Sequence, residues 1–436
     1  MAQPALQLPS EVWNHVFGYL SPADKFSVRA SCKYFKKLVD HGSLWKDWSI
    51  VLGFQRGSYD SHFWATLRHR KVTSAVVRSC KVKDFKNLAR CLPALSTLVM
   101  EQSSRESLPC LKDFPNLKRL SIRSSCTPLL LDPSAVLQPQ QLTHLSICDY
   151  TQPSLTLDTF ISCVSQFTNL LSLICHHMRV FEDTTWLVSS IPVSLPKLKH
   201  LSLSFHQMPQ VIYDWHRPNP GSLEGAHRQA GATSLSSLEL LSCFDDSIDS
   251  EDLMKLVPGL KSLSIMYRVL SELSPAPVCR LKTWLSDLPE LSTLVILSSP
   301  PVQRYVTSIP ATVTSLTLCV AGLSSEDMAA VAVQVPNLLH LHIDSWPSHL
   351  GAHVARIPQL FPKLKSLKLR HEHVPEKDFL QLHQLQDLEY LEILDGHMRL
   401  PEFCGKIQAL ANNRLQVTAS PQQRDVWSCT CACTVY

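Results

Sequence analysis

His340, His342 and Asp344 fall at alternate positions of the stretch LLHLHID. Alternate residues of an extended strand share one face, so two imidazoles and a carboxylate would point the same way. These are donor types that zinc accepts. Alternate positions on a strand stand about 7 Å apart, which is wide for one ion without donors from neighbouring chain. Plain polar surface is therefore expected, with no metal and no cofactor. A second chemical candidate is the C-terminal RDVWSCTCACTVY, where Cys433 stands fourth from the end, the place of a prenylated cysteine. Thr434 is not aliphatic and Tyr436 is not a usual last residue for that box. Cys429 and Cys431 offer thiols for acylation instead, and a flexible tail, free or folded back over the chain, is the default expectation.

Motifs for catalysis are missing. There is no Gly-rich phosphate loop, no His-Glu-x-x-His and no Gly-x-Ser-x-Gly elbow. Cysteine, histidine and serine are scattered without triad spacing, although residues distant in sequence can still meet in a fold. No catalytic residue is assigned, and a non-enzymatic protein is expected.

The strand carrying His340 belongs to a repeat. The pattern apolar-x-x-apolar-x-apolar, often preceded by proline, begins at Leu95, Leu117, Leu142, Leu170, Leu198, Leu235, Leu260, Leu291, Val313, Leu338, Leu364 and Leu388, with spacings of 22 to 37 residues. A degenerate copy begins at Val72. Most spacings lie in or near the leucine-rich-repeat range. One copy cannot bury its leucines, but a stack can. Each copy predicts a short strand on the inside of a curve and a return segment outside it. The stretches 326–335 and 271–285 read as outer helix and as irregular turn with helix. The asparagine or cysteine usual at the ninth position is mostly missing, Cys243 being an exception, so no regular asparagine ladder is expected.

With the fourth and sixth positions inward, the third, fifth and seventh face the opposite side. The third-position column is mainly small and hydroxylic. The seventh reads Leu241, Met266, Leu297 and Cys319 in four successive repeats, with Val295 beside it. An exposed apolar strip marks an interaction surface, and methionine adapts to irregular partners. Leu241, Met266, Val295 and Leu297 are thus target-binding candidates, unless a loop or the tail covers them. The spacing of 37 residues leaves a surplus loop over 205–232. Its Trp215 and Arg217 are hot-spot residue types, so Trp215 joins the target-binding candidates; a mobile insertion is the alternative.

The N-terminal 45 residues have a different character. Pro9 and Ser10 open a helix, along which Trp13, Val16, Phe17 and Leu20 recur at helical spacing. Ser21, Pro22 and Asp24 open a second helix. Cys32, Phe35, Leu38 and Val39 mark a third. Three short helices bury little alone, so Trp13, Phe17 and Leu20 are candidates for an intermolecular face as much as for a core. This segment resembles the F-box: Leu8, Pro9, Glu11, Phe17, Leu20, Asp24, Cys32, Lys33, Phe35, Leu44 and Trp45 match its pattern. Phe35 stands where tryptophan is usual and Ser31 where an aliphatic residue is usual. The resemblance implies binding of a Skp-family adaptor through Leu8, Pro9, Phe17 and Leu20. Through that adaptor it implies a cullin scaffold with its RING protein. Some relatives in this family also carry a prenylation box, which Cys433 would supply.

Composition sets the bounds. The chain has 436 residues and a net charge of +4, too little to argue for nucleic acid. Residues 1–80 hold 11 Lys/Arg against 5 Asp/Glu, and the rest 30 against 32. The densest basic spot, Arg68 to Lys71, reads as a solvated helix end or as a nuclear-import signal. Fifteen cysteines without metal or knot spacing, and no Asn-x-Ser/Thr sequon, fit a reducing compartment. No signal peptide and no membrane span is expected. The localisation expected is cytoplasmic or nuclear.

The expected fold class is α/β: a small all-α F-box followed by a curved leucine-rich-repeat solenoid of about 12–13 degenerate repeats. The expected boundaries are a flexible N-terminus (1–7), the F-box (8–48), a linker (49–71), the solenoid (72–415, with the 205–232 insertion) and a tail (416–436). By resemblance this is the substrate-recognition subunit of an SCF-type ubiquitin ligase. A protein-interaction scaffold without ligase function is the alternative.

Overall fold

The computed structural model describes residues 8–45, 48–54, 57, 59–101, 111–125, 139–150, 157–177, 185–204, 233–243, 254, 257–267, 279–346, 351–370, 374–394 and 400–420. Trp215 and Cys433 lie outside the described residues. The chain forms two compact units, Met1–Leu170 and Leu171–Val435.

The first unit begins with three helices, α1 (Ser10–Gly18), α2 (Pro22–Ser31) and α3 (Lys33–Val39). The Ser21 Oγ accepts from the Asp24 amide at 3.2 Å, and Pro22 fills the first position of α2, as the sequence predicts. α1 starts differently. Pro9 takes the cap position, no side chain caps the helix, and Ser10 donates to Glu11 instead. The Cys32 Sγ accepts from the Phe35 amide and caps α3.

Next come β1 (Ser49–Gly53), α4 (Ser61–His69), β2 (Ser74–Arg78), α5 (Val82–Cys91), β3 (Thr97–Glu101), β4 (Arg119–Ser125), β5 (His144–Tyr150) and α6 (Leu157–Val164). The five strands are parallel and pair in chain order. The linker expected over 49–71 is thus a full repeat, strand and helix. Ile50 pairs with Ala75 and Leu52 with Val77, and Leu52 is fully buried. That register assigns the first-leucine position to Asp47 in the sequence, which hid the copy. The Arg68–Lys71 stretch is a helix end with Arg68, His69 and Lys71 exposed, as expected, but not wholly solvated. Arg70 is buried, and Arg68 donates to the carbonyls of Cys91 and Arg90.

The second unit holds β6 (Ser172–His176), α7 (Thr185–Ser194), β7 (His200–Ser204), β8 (Ser237–Cys243), β9 (Ser262–Tyr267), α8 (Arg280–Ser286), β10 (Thr293–Leu297), β11 (Ser315–Ala321), α9 (Ser325–Gln334), β12 (His340–Trp346), α10 (Gly351–Val354), α11 (Ile357–Leu360), β13 (Ser366–Arg370), α12 (Glu376–Leu380), β14 (Tyr390–Leu394), α13 (Leu400–Leu410) and β15 (Gln416–Ser420). Its ten strands are again parallel and consecutive. α8 and α9 occupy the stretches expected to be helical returns. The array runs past residue 415: β15 pairs with β14, Val417 beside Leu391. Arg414 sits there at the first-leucine position, with Ala419 at the sixth, so the leucine pattern could not show this copy. The neighbouring Leu415 is buried instead, while Arg414 is exposed and its guanidinium donates to the carbonyls of His383, Leu385 and Gln386.

The fourth and sixth positions are the core of both units. Leu98, Leu173, Leu263, Leu294 and Leu367, and on the sixth Ile265, Ile296, Leu318 and Leu369, are all fully buried. The missing ninth-position ladder has a replacement. The residue just before the first leucine donates to the carbonyl two residues before the first leucine of the preceding repeat. Asn116 donates to Pro93, Gln141 to Pro115, Asn169 to Gln140, Ser234 to Pro196 and Thr312 to Pro289. This ladder ties successive repeats together along exposed turns. At the eighth position Ser79, Asp149, His177, Ser242 and Ser298 turn left-handed, with φ of 51 to 57°; β2, β6 and β10 end just before this residue. Among the described residues no helix is long and apolar enough to cross a membrane.

Candidate functional site

α1 has two apolar faces. Inward, Phe17 joins Val39, Leu44 and Trp45 in a buried cluster, against which Trp13, Leu20, Val28, Phe35 and Leu38 pack. The rings of Trp13, Phe17 and Phe35 meet with centroids 4.8 to 5.5 Å apart. Outward, Leu8, Val12, Val16 and Tyr19 are all exposed, Tyr19 by 79%. Spacings of four and three set Val12, Val16 and Tyr19 in one stripe, and Leu8 precedes the helix. Tyr19 Oη meets His15 Nε2 at 3.2 Å, and the two rings are edge to face.

This corrects part of the expected adaptor surface. Leu8 and Pro9 are exposed, but Phe17 is 2% exposed and Leu20 leans on the same cluster. A side chain so covered has no surface to offer a partner; Phe17 holds the three helices together. Of the exposed members, Val16 belongs to the helical spacing read from the sequence, whereas Val12 and Tyr19 do not, because that spacing follows the bulkier residues and bulk selects the core.

The back of the three-helix region is closed by charge. Asp40 pairs with Arg29 and Arg70, the latter at 2.6 Å. Arg70 lies 4.0 Å from the Trp45 ring centroid, a cation–π distance. Burial opposes the charge on Asp40, but hydrogen bonds and attraction from the two guanidinium groups outweigh it and hold the carboxyl below its ordinary value. Lys25 is buried as well. It donates to the Leu44 carbonyl at 3.2 Å and faces the Trp45 and Trp48 rings, and burial lowers its pKa.

In the second unit the expected apolar strip is a row in the sheet. Met266, Leu297 and Cys319 pair in register across β9, β10 and β11. Leu241, Met266 and Cys319 are nonetheless buried, and Val295 and Leu297 half-buried. In a parallel ladder, neighbours on one face stand about 4.8 Å apart, so a row of large side chains shields its own members. Leu241 and Met266 are therefore core residues rather than open contact residues. Val295 and Leu297 keep accessible surface. Burial pushes the Cys319 thiol up to about 12, so it stays protonated at neutral pH.

Polar groups flank this row. On one side, Ser202 Oγ donates to Glu239 at 2.5 Å and meets His176 Nε2 at 2.6 Å. The three residues resemble a hydrolase triad in composition only. The serine is in the middle, its single proton goes to the carboxylate, and it and His176 are fully buried. A nucleophile needs the histidine as its base and an open approach. On the other side, Asp344 pairs with Arg370 at 2.7 Å and Lys368 with Glu392 at 3.2 Å. His340 is exposed, while His342 lies half-buried beside Lys368. Among the described residues, no three His, Cys, Asp or Glu side chains converge to hold a metal.

Residues 5–50 match the F-box-like family model. No curated protein matches the sequence. Among solved structures, the leucine-rich repeat-containing protein LegL7 from Legionella pneumophila is similar, with 16% identity, a TM-score of 0.40, and 69% of this chain and 90% of that one covered. The Rad7 and Elc1 complex in yeast is similar with 13% identity, a TM-score of 0.38, and 95% and 90% coverage. The chain carries an F-box-like domain at its N-terminus, followed by a leucine-rich-repeat array.

Proposed function

We propose that this protein is the substrate-recognition subunit of an SCF-type ubiquitin ligase. The F-box-like domain would bind a Skp-family adaptor, and through it a cullin scaffold with its RING protein. The repeat face around Val295 and Leu297 would hold a target protein. The observation that supports this most is the exposed stripe Val12, Val16 and Tyr19 on a helix whose opposite face is already buried, with the exposed Leu8 just before it. An unpartnered apolar stripe on a three-helix module is a docking surface by its physics, and it lies inside the segment that matches the F-box-like model. The protein itself performs no bond chemistry in this scheme. It contributes proximity, which converts a bimolecular encounter between target and conjugating enzyme into an effectively intramolecular one. Its place of action would be the cytoplasm or the nucleus.

The test is affinity purification of tagged wild type beside Leu8→Ala/Pro9→Ala, read by mass spectrometry. Adaptor and cullin retained by wild type alone support the reading, and proteins retained by both baits are target candidates. Absence of adaptor and cullin from the wild-type bait overturns it in favour of an interaction scaffold outside any ligase.

A further inference from the structure

In the first unit, a cavity of about 230 Å³ opens between the end of β1 and the outer face of α5. Phe54, Tyr59 and Trp64 form aromatic walls, and Asp84 and Asn87 line it from α5. The rings stand nearly square to one another. Phe54 meets Tyr59 at 89° with centroids 5.6 Å apart, and Tyr59 meets Trp64 at 80° and 5.8 Å. Phe63 stacks on Tyr59 at 4.4 Å and 16°, which fixes that ring from one side. Tyr59 is held further through its hydroxyl, which accepts from the Gly53 amide at 3.0 Å.

The charges around this box are unequal in effect. Asp84 is buried, with one carboxylate oxygen accepting from the Lys81 amide. Arg90 also lines the cavity, but it is exposed and donates to Asn87 Oδ1 at 3.2 Å. A charge facing water is screened, and a buried one is not. Ring faces carry negative potential and attract cations within about 6 Å. The volume is below that of a drug-sized or cofactor pocket, so the guest is the size of a side chain or a small head group.

We propose that this cavity binds a methylated ammonium group. The group's soft, weakly hydrated charge would sit among Phe54, Tyr59 and Trp64, with Asp84 as counter-ion. The bearer would be either a methylated lysine side chain or a free quaternary amine; both present the same chemistry. The site is independent of the adaptor and target surfaces described above.

Titration of the full chain by calorimetry tests it, with three probes: choline, a capped glycine-flanked trimethyl-lysine tripeptide, and dimethylbutanol, the uncharged carbon isostere of choline. Saturable binding of an ammonium probe at least about tenfold tighter than the isostere is expected. A tripeptide tighter than choline identifies a protein side chain as the source, and the reverse identifies a small molecule. Trp64→Leu should abolish binding, and Asp84→Asn should weaken the ammonium probes several-fold while leaving the isostere unchanged. Thermal melts confirm that both variants fold. Equal affinity for choline and the isostere, no saturable binding of any probe, or unaltered binding in a folded Trp64→Leu variant overturns the proposal.

Discussion

Asp40 at the end of α3 and Arg70 just after α4 form an ion pair at 2.6 Å, with both side chains nearly buried. The pair joins the F-box-like helices to the first helix of the repeat array, and Arg70 adds its contact with Trp45. The receptor role proposed above would need such a rigid joint, because orientation is lost through a flexible one.

Removing the acid should therefore cost more than removing its half-buried partner Arg29. Asp40→Ala strands a buried guanidinium and should destabilise the first unit by about 3 kcal/mol or more. Arg29 is 23% exposed, so Arg29→Ala should cost about 1 kcal/mol or less. The Asp40 pKa is depressed when folded, so its contribution is present above the ordinary carboxylate pKa and fades as pH falls through the folded value. Urea denaturation of the two variants at neutral pH compares them; equal losses would show that Arg70 needs no partner.

Val16 and Phe17 are adjacent in sequence and opposite in role. Val16→Glu places a charge on the exposed stripe and should leave the thermal melt unchanged while reducing adaptor capture at least about tenfold, or 1.4 kcal/mol. Phe17→Ala empties the centre of the aromatic cluster and should cost about 3–5 kcal/mol of folding stability. Pull-down with purified adaptor, paired with melting curves, separates the two. Full adaptor binding by Val16→Glu would remove α1 from the interface.

The leucine phase made most of this fold legible in the sequence, since fourth and sixth positions bury wherever strands stack. The copies it concealed are those where the first position is Asp47 or Arg414. In the second case the apolar side chain is displaced by one residue, to the buried Leu415, and the exposed Arg414 donates to three carbonyls. The candidate sites were less legible. Alternation assigned Met266 and Leu241 to the right face but could not show that their neighbours cover them. On α1 the same limit acted in reverse: Phe17 satisfied the docking pattern and the core pattern at once, and only packing decides between them. Arg70 and Lys25 look solvated in sequence because nothing local announces the Asp40 carboxylate or the Leu44 carbonyl that holds each.

His342 gives the second unit a pH dependence. Burial, then the nearby Lys368, lowers its pKa to about 4, with Asp344 and Glu392 opposing. A histidine held neutral on folding binds fewer protons than the unfolded chain between that value and about 6.5. Stability is therefore full above pH 6.5 and is lost as pH falls from there toward 4, by up to about 3 kcal/mol. His200 shifts the same way, chiefly through burial, so the slope is assigned by difference. Denaturant unfolding at pH 7.5 and pH 5 should show a smaller loss in His342→Gln than in wild type. An unchanged loss would place the titration elsewhere.

Leu297 and Met266 are partners in register, but one is half-buried and the other buried. Met266→Ala should cost about 2–5 kcal/mol of stability and affect target capture only through folding. Leu297→Arg, on accessible surface beside Val295, should melt as wild type does yet lose proteins that wild type retains, while adaptor capture stays intact. Quantitative mass spectrometry of the two baits, with adaptor recovery as the internal standard, reads both effects. Retention of every wild-type partner by Leu297→Arg would move target recognition to another part of the array, and the flanking Asp344–Arg370 and Lys368–Glu392 pairs would then be the next surface to reverse in charge.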